Sequence, residues 1–182
     1  MRHFKYSAIL IGYMLKKIKN LVEKKIKGGQ VDINNCWLID GLSISSQEDF
    51  LIFIIEHVPD DSVWAIEGCF DDNMLNELRK YKTEDSVKVF QACISQCTES
   101  GWNDPIRAKV LLSKENKPKI IEIIKKHSLC SLIHHHIYYK SIFYFTTYDN
   151  FSAYVAVSKK FDNKVMNDYA EKNNIKFIEP TF

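Results

Sequence analysis

Glycine and proline are scarce, six and four in 182 residues, and no Pro/Gly/Ser-rich stretch or low-complexity tail interrupts the chain. That absence argues against a modular or largely disordered protein, and no internal repeat is present. Five cysteines, Cys36, Cys69, Cys93, Cys97 and Cys130, form an odd and scattered set that does not read as a disulfide framework. Free, mostly buried thiols in a reducing compartment are the expectation. Cys93 and Cys97 could be joined with His127 or His134 into a zinc site, but no second closely spaced pair completes a recognisable ligand set. The two glycines of "KGGQ" belong to no phosphate-binding loop. G-x-G-x-x-G, H-E-x-x-H and G-x-S-x-G are all missing. Accordingly no catalytic residue, metal ligand or cofactor is assigned.

Long apolar runs are missing too. The run Ala8–Leu15 follows a basic start but is too short to span a bilayer, and no small-x-small cleavage site follows it. A cytoplasmic address is expected. Beyond it, Ile11, Met14, Leu15, Ile18, Leu21, Val22 and Ile26 recur at three- and four-residue spacings. This predicts an amphipathic helix over about 8–27, stopped by Gly28-Gly29. Its lysines, Lys16, Lys17, Lys24 and Lys27, could meet an anionic membrane. A helix packed on the core with solvated lysines is the simpler expectation.

What the sequence does contain is the composition of a globular chain, 46% hydrophobic and 26% charged, long enough for one sizeable core. We read residues 1–182 as a single domain. Cys36–Ile39 reads as a strand and 47–57 as a helix, with Ser45 and Glu48 spaced as a capping box. "SVWAIEG" reads as a strand. "DDNMLNELRKY" reads as a helix with Asp71 as N-cap, and "SVKVFQACI" and "AKVLLS" as strands. "KENKPKIIEIIKKH" is helical, with Pro118 in the first turn. "CSLIHHHIYYK", "SIFYFTTY" and "SAYVAVS" predict three strands in an antiparallel meander. A helix capped by Asp162 and the strand "IKFIEP" close the chain. The order α-β-α-β-α-β-β-α-β-β-β-α-β predicts a mixed α/β fold of the α+β kind, a largely antiparallel sheet with packed helices.

Half of the six histidines stand together as His134, His135 and His136. On a strand, the first and third face one way and the second the other. Two histidines at i and i+2 can chelate a metal if a third donor arrives, and Glu67, Cys69, Asp71 and Asp72 are the tempting donors. A metal-dependent hydrolase or nuclease built from these histidines and carboxylates is one functional reading. The plainer one is a strand whose histidines are half-buried or part of a polar surface.

Charge is distributed unevenly. Residues 1–39 carry a net +6, residues 40–85 a net −9 and residues 86–182 a net +5. If folding keeps the central block together, it makes an acidic face from Glu48, Asp49, Glu56, Asp60, Asp61, Asp71, Asp72 and Glu77. Such a face repels nucleic acid and attracts a basic protein. Trp64 or Trp37 would serve as an apolar anchor if exposed. The lysine-rich flanks form no strong basic tract with interleaved aromatics.

A small α/β chain carrying "SSQEDFLIFIIEHVPDDSVWAIEGCFDDNMLNELRKY" resembles the bacterial immunity proteins of contact-dependent and polymorphic toxin systems. The resemblance lies in size and style and transfers no functional residue. It implies a non-catalytic cytoplasmic protein that binds and neutralises a cognate toxin, and the acidic block fits a basic nuclease toxin. Direct nucleic-acid binding and membrane association are not expected.

Overall fold

Seven strands and four α-helices follow one another along the described residues. These are 31–68, 73–87, 89, 106–129, 132–148, 151 and 154–180 of a computed structural model. The helix expected at 8–27, the N-cap Asp71 and much of the strand expected at 86–94 lie outside them. Ser86, Val87 and Val89 are described, and none is in a strand. The order is β1 (Cys36–Asp40), α1 (Gln47–His57), β2 (Ser62–Gly68), α2 (Asn73–Leu78), β3 (Ile106–Leu112), α3 (Asn116–Lys126), β4 (Leu132–Tyr139), β5 (Ile142–Thr147), β6 (Val155–Ser158), α4 (Asn163–Asn173) and β7 (Lys176–Ile178).

All seven strands share one sheet in the order β3-β2-β4-β5-β6-β1-β7, and every neighbouring pair is antiparallel. The expected mixed α/β fold is therefore the one that forms, as a single domain. Two crossovers give the topology its character. β3 and β4 both flank β2 and are joined through α3; β6 and β7 both flank β1 and are joined through α4. Each crossover straddles a strand from earlier in the chain. The meander β4-β5-β6 links the two halves, and its first turn is the two-residue Lys140-Ser141, with φ of 47° and 66°.

The helices cover one face of the sheet. Trp64, Ile66, Val110, Ile137, Phe145 and Val157 share a single core with α1, α3 and α4. α1 is the central helix, and six consecutive residues, Phe50 to Ile55, are buried. Successive residues step about 100° around a helix. Leu51, Ile54 and Ile55 therefore face one side and Asp49 and Glu56 the opposite one, with Ile52 and Phe53 on the flanks. Phe53 meets α4 by stacking on Tyr169 at 3.9 Å between ring centroids. α3 packs on α1 as well, which leaves α1 a narrow acidic outer stripe.

Two local expectations resolve differently. The capping box at Ser45 and Glu48 does not form. A 3-10 turn, Ile44–Ser46, leads into α1 instead, and Ser45 Oγ lies 3.0 Å from Ser43 Oγ. The N-cap residue is Ser46, whose hydroxyl donates to the Ser43 carbonyl at 2.9 Å and caps nothing. α2 gives way after Leu78 to a 3-10 turn, Arg79–Tyr81. The expected N-cap of α4 is in place: Asp162 accepts from the backbone N–H groups of Lys164 and Val165 at 2.8 and 3.0 Å.

Candidate functional site

Two places draw together chemistry-bearing side chains: the histidine strand with its neighbours, and the outer surface of the helical layer.

The histidines alternate as a strand requires. His135 sits opposite Ile66 in the β2–β4 register and points into the helix-covered core. It is 0% exposed, between Trp64 (5.8 Å between centroids, nearly parallel) and Phe151 (5.3 Å). His136 lies on the other face, 2% exposed, with Nδ1 2.7 Å from Thr146 Oγ1. His134 is half-buried on that second face, and the Tyr148 ring stands edge-on to both His134 and His136 at 5.0 Å. The histidines are thus less exposed than a polar surface strand implies. Burial pushes both His135 and His136 down to about 3. The neighbouring His134 adds to the shift in each, and the Leu132 backbone opposes it at His135. Both rings are neutral at physiological pH.

Glu67 shares the second face. It is 1% exposed and sits opposite His134 on one side and Arg107 on the other. Arg107 donates from Nε (3.2 Å) and Nη2 (3.0 Å), both to Oε1. Oε2 is buried with no hydrogen-bond partner. The sequence expectation that Glu67 could join two histidines is met only as far as sharing a face. Its carboxylate is held by Arg107, and among the described residues no three His, Cys, Asp or Glu side chains converge as a metal site. Cys69, Asp71 and Asp72 lie outside the described residues. The buried thiol of Cys36 is pushed up to about 11, mainly by burial, with Asp32 adding and Lys159 opposing. At that value it is a poor nucleophile.

A third polar group on this face escapes sequence reasoning. Asp85 receives Lys109 Nζ on Oδ1 and the Tyr138 hydroxyl on Oδ2 at 2.6 Å, and Lys109 also donates to the Val87 carbonyl at 2.7 Å. Burial works to raise Asp85, but these hydrogen bonds and the Val87 N–H hold it below the usual carboxylate range. The group fastens 85–87 across β2, where Val87 and Val89 pack on Val63 and Ala65. Its role is structural. The only sequence signal was period two: Arg107 and Lys109 stand on one face of β3, facing an acid each.

No significant match to the chain emerges from protein-family models, curated proteins or solved structures. The helical surface must therefore be judged on its own geometry. Asp49, Glu56, Asp60 and Asp61 are exposed, and Glu48 and Glu77 half-buried. Folding divides this set. Asp60 pairs with Lys117 at 2.9 Å. Glu77 pairs with Lys126 at 2.6 Å and lies 3.0 Å from His127 Nε2. Hydrogen bonds from Lys126 and then His127 bring Glu77 down to about 2. Both bases sit at the end of α3 or just past it. Glu48, Asp49, Glu56 and Asp61 make no ion pair with any described residue.

The tryptophans also divide. Trp64 is 0% exposed, because β2 directs it beneath the helices, so it is not a surface anchor. Trp37 is half-buried against Phe177 at 5.6 Å. Among the described residues no helix is long and apolar enough to cross a membrane.

Proposed function

We propose that this chain is a non-catalytic immunity protein that binds and neutralises a basic protein toxin through the outer surface of α1 and the turn that follows it. The observation that carries the reading is the acidic stripe of Asp49 and Glu56, with Asp61 in the turn. These carboxylates are exposed and take no counter-ion from the described residues. Exposed charge of one sign speeds encounter with an oppositely charged partner. Trp37, the half-buried indole, remains the candidate apolar contact. A nuclease toxin that handles nucleic acid supplies the matching basic surface.

The test is association with the partner recovered by pull-down from the native organism. Asp49→Lys with Glu56→Lys should slow association by about tenfold or more at low salt and flatten its salt dependence. Asp60→Asn, whose carboxylate already serves Lys117, should change it little. Association unaffected by the double reversal would overturn the interface. Turnover of a small substrate with no protein partner would overturn the function.

The second reading, a metal-dependent hydrolase or nuclease, is favoured by one observation: Glu67 faces His134 on a shared sheet face. It requires Arg107 to release Oε1 or a donor to reach Oε2. One tightly held metal per chain by elemental analysis, lost in Glu67→Gln, would support it over the immunity reading.

A further inference from the structure

Four polar atoms in the helix-covered core have no hydrogen-bond partner: Trp64 Nε1, both ring nitrogens of His135 and Thr147 Oγ1. All three residues are 0% exposed. The three residues are also neighbours. His135 and Thr147 are direct partners in the β4–β5 register. The Trp64 ring stacks on the imidazole, and the Phe151 ring contacts it at a tilt. The Leu132 backbone favours a proton on His135 but does not reach hydrogen-bond geometry.

One orphaned polar atom in a core is a local defect; four in contact residues are a pattern. More than about nine-tenths of buried polar groups in folded proteins find a partner, and internal water is the usual one where protein groups do not reach. The chemistry here is specific. The indole offers a donor, a neutral imidazole one donor and one acceptor, and the hydroxyl either role. The complementary ligand both donates and accepts. It must also be small, because Trp64 and Phe151 are both in ring contact with His135, and neutral, because all three residues are fully buried. An ion of either sign would be desolvated without compensation.

We propose that a water molecule is held in the core between Trp64, His135 and Thr147 as an integral part of the fold. Its hydrogen bonds fix the imidazole tautomer and the rotamer of Thr147 beneath α1. The site is independent of the acidic surface and of any partner.

Two experiments on the intact chain test it. A high-resolution crystal structure should show ordered density within hydrogen-bond distance of at least two of the four atoms. Thr147→Val preserves shape and removes the hydroxyl. If the hydroxyl bonds water, this variant melts about 2–4 °C lower. If the hydroxyl is an orphan, removing it leaves the melting temperature unchanged or raises it. Absent density, density of a protein group in that position, or a melting temperature at or above the parent's would each overturn the proposal. Thr147→Ser, which keeps the hydroxyl, checks that the water is retained when only the methyl group is lost. Loss of the density in that variant would overturn the assignment of the hydroxyl as its ligand.

Discussion

Lowering the pH from 7 to 5 should destabilise this protein by about 4 kcal/mol. The cause is the pair of buried neutral imidazoles on β4. In the unfolded chain each titrates near 6.5, whereas His135 and His136 are held down to about 3 in the folded chain. Their folded values are depressed, so the folded state stays neutral while the unfolded state gains protons. The stability they contribute is fully present above 6.5 and is lost as pH falls from there toward 3. At pH 5 each unfolded imidazole has gained about 2 kcal/mol from protonation that its folded counterpart cannot share. Against a typical total of about 5–15 kcal/mol, the loss is large.

The pH window separates this cause from acid effects on carboxylates. Glu77, Glu84, Asp85 and Glu179 are all held below their ordinary values. Their contributions are present above the ordinary carboxylate range and disappear only as pH falls below about 4.5. Between 7 and 5 the buried histidines act alone among these groups. Urea denaturation across that interval gives the slope. His135→Phe, which places another ring between Trp64 and Phe151, should roughly halve it. Stability that is flat within about 1 kcal/mol from pH 7 to 5 would refute the reasoning, as would an unchanged slope in the variant.

The turn Lys140-Ser141 holds two L-residues at positive φ where Asn-Gly is favoured. Lys140→Asn with Ser141→Gly should therefore raise stability by about 1 kcal/mol in thermal or urea unfolding. Arg107→Leu should lower stability by about 3 kcal/mol, because it strands a buried carboxylate. Glu67→Leu combined with Arg107→Leu should recover most of that loss in the same measurement.

How far the fold could be read from the sequence depended on how local each signal was. α4 begins where Asp162 predicts, because an N-cap is set by its own next three residues. α1 spans 47–57 as its apolar run suggested, though its capping box failed: Ser43, Ser45 and Ser46 bond among themselves around a 3-10 turn over Ile44–Ser46 instead. The meander followed from β-branched and aromatic segments parted by short polar breaks. The straddling crossovers were not legible, since nothing local tells β1 that its partners lie more than a hundred residues away at β6 and β7. The histidines show the same limit. Alternation predicted opposite faces correctly, but which face is covered depends on α1, Phe151 and Tyr148, so burial of His135 and His136 could not be read from the triplet itself.

Charge gives the sharper lesson about function. Along the chain, 40–85 is a strongly acidic block, net −9, and on that basis all of its carboxylates are equal candidates for a basic partner. Folding brings α3 beside α1 and α2, and its lysines neutralise Asp60 and Glu77 from within. Trp64 is withdrawn into the core at the same time. The acidic surface that survives is smaller and more localised than the linear charge implies. A few exposed carboxylates steer an encounter but hold little affinity, since exposed ion pairs contribute only about 0–1 kcal/mol each. A tightly bound toxin would therefore have to gain its residence time from apolar contact bordering α1. This is why charge reversal at Asp49 and Glu56 is expected to act on the association rate far more than on dissociation.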